Sequence, residues 1–367
     1  MTRKEFMEIC GVLGLGLAAP LALPACRYNA KVNAPFKGRV LIVGAGAGGL
    51  SAGYLLAQAG VDFEILEASL AFGGRMKINR DFADFPIPLG AEWLETGTDI
   101  FRKIVNDPDV PLNVATVPDP PDRKFVNYSW YQFFEDYILP SVAGRISYGQ
   151  IVESIDYSGG EIRVSTQNAD YTADKVIVSV PLQILRDGDI QFIPSLPQSK
   201  QDAMRKTVIW DGFKAFVEFS ARFYDEEYVF DVQPPDAGQK IYYDAAYGQN
   251  SSMHILGLFA VGKPAEIYAS LSDSELKDII LSELDALYSN QAGPNYIKHI
   301  SQNWKKEAFI RSGYISENAD WKDVRELGKS LGGKVYFAGG AYTDGEDWVS
   351  VHVAALSAKR AVEELSA

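Results

Sequence analysis

The chain has 367 residues, a formal net charge of −13 and 47% hydrophobic residues. This length accommodates two domains with ample core, and the negative charge argues against nucleic acid or an anionic membrane surface as a partner. Its two cysteines, Cys10 and Cys26, both lie near the N-terminus, so the body of the chain has no disulfide, thiol nucleophile or thiolate metal site.

Residues 1–26 have the composition of a leader and are excluded from the predicted fold. A basic start precedes an apolar stretch over residues 9–23, an order that is typical of a secretory signal. Residues 23–26, Leu-Pro-Ala-Cys, resemble a bacterial lipobox, and residues 2–7 resemble a twin-arginine export signal with lysine in place of the second arginine. We expect an exported bacterial protein, periplasmic or anchored by a lipid on Cys26; the alternative is an uncleaved apolar anchor helix.

The next stretch has the pattern of a dinucleotide-binding unit. Residues 40–43 are a short β-branched run, typical of a buried parallel strand, and Gly44, Gly46 and Gly49 follow at G-x-G-x-x-G spacing. Glycines at these positions permit a tight turn, close approach of backbone to a pyrophosphate, and close packing of the next helix on the strand. The helix offers free N–H groups to phosphates. Glu67 ends a second strand, where a carboxylate binds ribose hydroxyls.

Residues 67–75 read Glu-Ala-Ser-Leu-Ala-Phe-Gly-Gly-Arg, which resembles the LEA…GGR continuation of the flavin-containing amine oxidase superfamily. That superfamily includes monoamine and polyamine oxidases, L-amino-acid oxidases, flavin-type lysine demethylases and related desaturases. The resemblance implies FAD as the dinucleotide. It implies cofactor contacts from Gly44, Ala45, Gly46, Gly49, Glu67, Ala68, Gly74 and Arg75. Because the body has no cysteine, the cysteinyl linkage of monoamine oxidases is excluded and FAD is expected to bind non-covalently.

Residues 89–93, Leu-Gly-Ala-Glu-Trp, resemble the LGA-x-W segment of the superfamily, which passes beside the flavin ring. This implies contacts with the ring from Gly90, Ala91, Glu92 and Trp93. The aromatic- and proline-rich residues 96–140 resemble a much shortened form of the insertion that roofs the substrate cavity in amine oxidases, which implies a more open site. Within this insertion, residues 118–121 are predicted to form a loop and residues 130–137 a helix.

The pattern in the middle of the chain predicts a hairpin followed by a buried strand. Residues 146–155 and 161–166 alternate like the strands of a hairpin. Residues 174–182 predict a buried strand and resemble the aD-x-VIV-x-VPL segment of the superfamily. In relatives this unit returns to the FAD domain, which implies that Val152 lies against the adenine.

Lys214 is the candidate catalytic residue. Residues 212–219 alternate polar and apolar, as a half-buried strand does. The resemblance implies that Lys214 holds a water against flavin N5, where a cation favours the reduced anionic flavin and the reduction of oxygen. The alternative is an exposed lysine on a strand edge.

The region after Lys214 predicts further strands and one capped helix. Residues 241–247 and 253–261 are the predicted strands, and Ser272 with Glu275 forms the capping pattern of an amphipathic helix. The histidines are scattered, so neither a metal site nor a serine-hydrolase triad is expected. They are His254, His299 and His352.

The C-terminal part resembles the segments that close the flavin site. Residues 335–340 resemble the FAGE strand and turn, which implies that Gly339 and Gly340 lie against the ribityl chain and phosphates. The usual glutamate is absent, which removes one hydrogen-bond acceptor for the cofactor. The closing helix follows, and the resemblance implies that Ser350 and Val351 lie at flavin O2.

Aromatic residues of this part are candidate walls of the substrate site and equally candidate core residues. They are Trp304, Phe309, Tyr342 and Trp348.

These elements together predict an α/β fold with two domains. Residues 38–98, 142–205 and 300–367 are assigned to an FAD-binding domain with a Rossmann-like parallel sheet and a β-meander. Residues 99–141 and 206–299 are assigned to a substrate domain, α+β with a mixed sheet.

The expected reaction is oxidation of an amine at a C–N bond, with hydride transfer to flavin N5 and reoxidation by O2 to give H2O2. The amine has to be neutral, because a protonated nitrogen has no lone pair with which to expel hydride. Two alternatives remain open. One is a flavin desaturase or dehydrogenase acting on C–C bonds; the other is a non-catalytic FAD-binding lipoprotein, favoured by the short roof and the missing glutamate. The sequence identifies neither the substrate nor the oligomeric state.

Overall fold

The structure is a computed structural model that describes residues 36–105, 110, 112–116, 123–224, 229–232 and 237–367. The predicted leader, with Cys10 and Cys26, and the predicted loop at residues 118–121 lie outside the described residues. Among the described helices, none has the length and apolar character needed to cross a membrane.

The strands are β1 Arg39–Val43, β2 Asp62–Glu67, β3 Ile78–Asn79, β4 Ile87–Pro88, β5 Trp93–Leu94, β6 Val114–Thr116, β7 Arg123–Phe125, β8 Ile146–Tyr148, β9 Val152–Asp156, β10 Ile162–Thr166, β11 Asp170–Ala173, β12 Lys175–Val178, β13 Gln191–Ile193, β14 Gly212–Phe219, β15 Val229–Val232, β16 Gly238–Asp244, β17 His254–Gly262, β18 Tyr296–Asn303 and β19 Val335–Phe337. The α-helices are α1 Ala47–Gln58, α2 Ile100–Val105, α3 Trp130–Tyr137, α4 Leu139–Val142, α5 Leu182–Arg186, α6 Gln198–Lys206, α7 Lys263–Ala269, α8 Asp273–Leu287, α9 Ala292–Asn295, α10 Trp321–Gly328 and α11 Val351–Leu365. Single 3-10 turns cover Gly74–Met76, Ala143–Arg145 and Trp304–Lys306.

A five-stranded parallel sheet forms the predicted dinucleotide-binding unit. Its order is β19-β12-β1-β2-β8, and every neighbouring pair is parallel. Residues 40–43 of β1 are buried on both faces, as their β-branched composition predicts. Helices α1 and α11 pack together on one side of the sheet. The α/β fold class with a Rossmann-like parallel sheet is confirmed.

A second, four-stranded sheet has the order β11-β10-β9-β13 and corresponds to the predicted meander. The single strand predicted over residues 146–155 is wrong, because Gly149, at φ +69°, breaks it. The first half, β8, pairs with β2 in the parallel sheet, and the second half, β9, pairs antiparallel with β10. The predicted buried strand at residues 174–182 is shorter, because β12 ends before Pro181 and α5 begins after it.

A third sheet of five strands has the order β15-β16-β17-β14-β18 and is antiparallel throughout. Strand β14 spans Gly212–Phe219 as predicted, but it lies between β17 and β18 and is buried on both faces. The prediction of a half-buried strand there is therefore wrong, and so is the alternative of an exposed edge lysine. Helix α8 begins with the predicted capping box of Ser272 and Glu275.

Strands β6 and β7 of the shortened insertion join β5 in a small sheet of order β5-β7-β6, and the insertion also contains the predicted helix α3. Its aromatic side chains pack on one another and join the apolar cluster that contains α1 and α11. They are Phe101, Phe125, Trp130 and Phe133. This packing holds strand β7 beside β5, where Lys124 is paired with Trp93.

Candidate active site

The turn between β1 and α1 has the geometry of a phosphate-binding loop. Gly44 has φ +102°, and its N–H donates to the carbonyl oxygen of Leu66 at 2.8 Å. Gly46 is the N-cap of α1 and provides no side-chain cap, so the first N–H groups of the helix remain available. A Cβ added to Gly46 meets no atom within 4 Å, whereas one added to Gly49 lies 1.9 Å from the carbonyl oxygen of Gly44. Gly49 therefore closes the turn, and Gly46 faces open space.

Glu67 is held beside this turn by backbone and side-chain donors. Its Oε2 accepts from the N–H of Ala45 at 2.6 Å, and its Oε1 accepts from the N–H and hydroxyl of Ser69 at 2.8 and 2.7 Å. The N–H of Gly73 donates to the carbonyl oxygen of Ala45 at 2.9 Å. This hydrogen bond joins the two glycine-rich segments, and Ala68 lies between them in the sequence. Binding of ribose by Glu67 stays a prediction.

Arg75 connects the second glycine segment to the segment expected at the flavin ring. Its carbonyl oxygen accepts from the N–H of Ala91 at 3.0 Å, and its Nη1 donates to the carbonyl oxygen of Gly313. A Cβ on Gly90 would lie 1.8 Å from the carbonyl oxygen of Arg75, so only glycine permits this approach. Residues 74–75 and 90–91 therefore lie side by side, as expected if both segments contact the same cofactor.

The start of α11 is a second helix terminus without a side-chain cap, since Ser350 makes no capping bond. Val351 belongs to the apolar cluster shared with α1. Gly339 has φ +145°, and its N–H donates to the hydroxyl of Ser357 at 2.7 Å. A Cβ on Gly340 would lie 2.6 Å from the carbonyl oxygen of Val349, so the backbone fills the space that the glutamate of a FAGE segment would need.

These features fit a dinucleotide with negatively charged phosphates. Open space at Gly46, an uncapped α1 terminus and a carboxylate at the end of β2 are the elements that such a ligand needs. Val152 begins β9 and is buried; its contact with adenine stays a prediction.

A buried charge cluster lies where two separately predicted segments meet. Lys214 Nζ is 2.6 Å from Glu92 Oε2, and Lys124 Nζ is 3.3 Å from Glu92 Oε1. The side chains of Lys214, Glu92 and Lys124 are 2%, 4% and 3% exposed. The Tyr243 hydroxyl donates to Glu92 Oε2 at 2.5 Å, and Lys214 Nζ lies 4.8 Å from the ring centroid of Trp93. Lys214 is thus a buried, paired cation.

Burial lowers the pKa of Lys214, while the neighbouring Glu92 carboxylate opposes this shift. Burial alone would raise the pKa of Glu92, but the two ammonium groups and the Tyr243 hydroxyl outweigh it and keep that pKa below its ordinary value. The carboxylate is therefore ionised at neutral pH.

Sequence reasoning missed Lys124 and Tyr243. Lys124 lies in the insertion that was interpreted mainly as loop and helix, and Tyr243 lies in a predicted strand with no motif. Lys124 stands directly after Asp122 and Arg123 in the sequence, so no local signal marked it as a buried lysine.

The four candidate wall residues lie in different environments. Trp304 and Tyr342 are buried, and they donate to the carbonyl oxygens of Leu89 at 3.1 Å and Val180 at 2.8 Å. Trp348 is half-buried and donates to the carbonyl oxygen of Ser316 at 3.0 Å, and Phe309 is exposed. A substrate role for each stays a prediction. Within the described ranges no group of acidic, histidine or cysteine side chains is arranged to hold a metal ion.

Comparison with known proteins gives matches to family models along most of the chain. Residues 131–366 match the model of flavin containing amine oxidoreductases, and residues 42–107 match the NAD(P)-binding Rossmann-like domain. Over 52% of this chain, it is 28% identical to lysine-specific histone demethylase 1B of Mus musculus, of which it covers 24%. Over 59% of this chain, it is 28% identical to lysine-specific histone demethylase 1 homolog 1 of Arabidopsis thaliana, of which it covers 26%. The chain thus spans about a quarter of the length of these curated relatives.

Proposed function

Because the chain belongs to the flavin containing amine oxidoreductase family, we propose that it oxidises the C–N bond of a small amine and passes the electrons to O2. The family match and the Rossmann-like match confirm the prediction of an FAD site in an oxidoreductase. When bound, FAD supplies the acceptor for the substrate hydride and the route of the electrons to oxygen. Its non-covalent attachment stays a prediction.

One observation carries the proposal. The segment at residues 90–93 and Lys214 were assigned to the flavin ring from separate motifs, and they meet at 2.6 Å between Glu92 and Lys214. Glu92 and Lys214 are 122 positions apart in the sequence, so their contact is a result of the tertiary fold. This supports a reaction centre beside Trp93.

Lys214 is the residue proposed to assist the oxidative step. It places an ammonium group in a water-poor environment, where a charge acts over a low effective dielectric. Negative charge develops as oxygen accepts electrons, and a fixed cation stabilises it. The Trp93 ring beside Lys214 excludes water from one side of the ammonium group.

The aromatic residues are proposed to orient the substrate. A neutral amine needs its lone pair directed so that hydride can leave the carbon, and flat side chains restrict its orientation. Trp348 is the first candidate, because it is half-buried and its indole N–H is already fixed by the carbonyl oxygen of Ser316.

The test measures the two half-reactions separately after Lys214→Met. Reoxidation by O2 is expected to slow by roughly tenfold to a thousandfold, at about 1.4 kcal/mol per decade, while anaerobic reduction by substrate changes far less. Lys206→Met, an exposed lysine at the end of α6, is the matched control. Unchanged reoxidation in Lys214→Met would contradict the role of Lys214.

A panel of amines with detection of H2O2 decides between the alternatives. Peroxide release supports the amine oxidase. Anaerobic bleaching of the flavin by a saturated precursor of an alkene, without peroxide release from amines, supports the desaturase. A flavin that neither class reduces supports a non-catalytic FAD-binding protein, which the closed backbone at Gly340 favours.

A further inference from the structure

Glu92 bridges two lysines that come from different parts of the chain. Its Oε2 lies 2.6 Å from Lys214 on β14, and its Oε1 lies 3.3 Å from Lys124 on β7. All three side chains are at most 4% exposed. One carboxylate between two ammonium groups leaves a surplus of one positive charge in the interior when all three are ionised.

The two lysines differ in how completely they are bonded. Lys124 Nζ also donates to the carbonyl oxygens of Ala245 at 2.9 Å and Asp244 at 3.4 Å, so three acceptors surround its three hydrogens. Among the described residues, Lys214 Nζ has two acceptors, Glu92 and the carbonyl oxygen of Pro88 at 3.2 Å. Lys214 is therefore the member with a donor to spare for the reaction centre.

We propose that Glu92 and Lys124 are positioning residues that set the protonation state of Lys214 in opposite directions. Glu92 stabilises the charged form of Lys214 by contact, and Lys124 destabilises it from the other side of the same carboxylate. The inference rests on the proposed function, because it concerns the lysine used there. It gives the insertion at residues 96–140 a second role, since that insertion supplies Lys124.

The other groups around Lys214 are accounted for. The Tyr243 hydroxyl donates to Glu92 Oε2 at 2.5 Å and holds the carboxylate in its ionised form. On the neighbouring strands Lys214 pairs with Phe259 and Gln302, which do not titrate. Beyond Lys124, the carboxylate of Asp244 is 3.0 Å from Arg222, so that pair is balanced.

The electrostatics agree with this geometry. Burial has the largest effect and lowers the pKa of Lys214, Glu92 raises it, and Lys124 lowers it further. Removing Glu92 should therefore lower the pKa of Lys214, and removing the charge of Lys124 should raise it. A merely structural role for either residue does not predict opposite signs.

The experiment compares Glu92→Gln with Lys124→Met in the FAD-loaded protein. Absorption of the bound oxidised flavin at rest is followed from about pH 6 to about pH 10, and the pH dependence of flavin reoxidation is measured in parallel. We expect the midpoint to fall by about one pH unit or more in Glu92→Gln and to rise in Lys124→Met. Shifts in the same direction, or no shift, would overturn the inference.

Two further variants keep the result interpretable. Glu92→Asp keeps the charge but draws the carboxylate back from Lys214, so it should shift the midpoint in the direction of Glu92→Gln by a smaller amount, and it serves if Glu92→Gln does not fold. Lys214→Met should abolish the spectral titration. If Lys214→Met slows reoxidation but the midpoints of the Glu92 and Lys124 variants do not shift in opposite directions, this inference fails while the proposed function stands. If Lys214→Met leaves reoxidation unchanged, the role of Lys214 in the proposed function fails.

Discussion

Lys200, on α6, donates from Nζ to the carbonyl oxygen of Leu327 at 2.8 Å, in the last turn of α10. The same ammonium group donates to the carbonyl oxygen of Glu326 at 2.8 Å and lies 4.2 Å from the ring centroid of Phe337 on β19. Carbonyl groups at the end of a helix have no partner within the helix, and a side-chain N–H donor there satisfies them. Lys200 thus connects α6, α10 and the parallel sheet.

Replacing this lysine should destabilise the fold. Lys200→Met keeps the apolar stem but removes the donor to the buried carbonyl oxygen of Leu327 and one of two donors to the partly buried carbonyl oxygen of Glu326, which costs about 2 kcal/mol in the free energy of unfolding. Urea denaturation at about pH 10, where burial keeps the Lys200 amine neutral in the folded protein, measures the loss. Lys206→Met, on the exposed side of the same helix, is the control and should change stability little. Equal losses in both variants would contradict the capping role of Lys200.

The contribution of Lys200 should also depend on pH. Burial lowers its pKa to about 7 in the folded protein, against about 10.4 in an unfolded chain. Between these values the unfolded state binds more protons, so this contribution is complete above about pH 10.4 and is lost as the pH falls to about 7. The stability difference between the parent protein and Lys200→Met should therefore increase with pH, by at most about 1.4 kcal/mol per unit. A stability difference between the two proteins that is constant from about pH 7 to about pH 9 would contradict the lowered pKa of Lys200.

The parts of the fold that depend on local pattern were predictable. Strand β1 and helix α1 follow from an apolar run and three glycines at fixed spacing, all within a short stretch. The capping box of α8 is equally local. Gly149 was missed as a break, because an isolated glycine in an alternating run does not reveal its φ angle.

The charge cluster was not predictable in the same way. Each of Glu92 and Lys214 was assigned a place at the flavin from its own motif, but nothing in either motif pairs one with the other. Lys124 comes from a third region, and its burial depends on how β7 lies beside Trp93. Such long-range pairing depends on tertiary packing rather than on local periodicity.

The position of Tyr243 depends on a glycine opposite it, which gives another prediction. Gly257 on β17 pairs with Tyr243 on β16, and a Cβ on Gly257 would lie 2.4 Å from the Tyr243 ring. Gly257→Ala should displace the ring, move its hydroxyl from Glu92, and lower the free energy of unfolding by about 1–3 kcal/mol.

A double-mutant cycle tests whether the ring causes this loss. In a Tyr243→Leu background the added methyl group has more room, so Gly257→Ala should cost clearly less there. Chemical denaturation of the four proteins gives the coupling free energy. An equal cost in both backgrounds would show that the backbone, not the Tyr243 ring, is what requires glycine at residue 257.

The last prediction separates the role of a glycine in the fold from its role in binding. Gly46 has φ −80°, which alanine adopts readily, and an added Cβ there meets no protein atom within 4 Å. A Cβ on Gly49 would lie 1.9 Å from the carbonyl oxygen of Gly44. Gly46→Ala should therefore leave the thermal stability of the apoprotein nearly unchanged, whereas Gly49→Ala should lower it strongly, because backbone atoms cannot move aside cheaply.

Binding of FAD should show the opposite sensitivity. If the open space at Gly46 receives the pyrophosphate, one methyl group there obstructs the approach, and the FAD affinity of Gly46→Ala should fall at least about tenfold, or about 1.4 kcal/mol. Gly144→Ala is the matched control, because that glycine also has no atom within 4 Å of an added Cβ and belongs to the 3-10 turn Ala143–Arg145 rather than to the turn between β1 and α1. Apoprotein melting and a fluorescence titration with FAD measure the two effects on the same samples. Unchanged affinity in Gly46→Ala would place the phosphates elsewhere, because a methyl group in contact with the pyrophosphate cannot leave its binding unaffected.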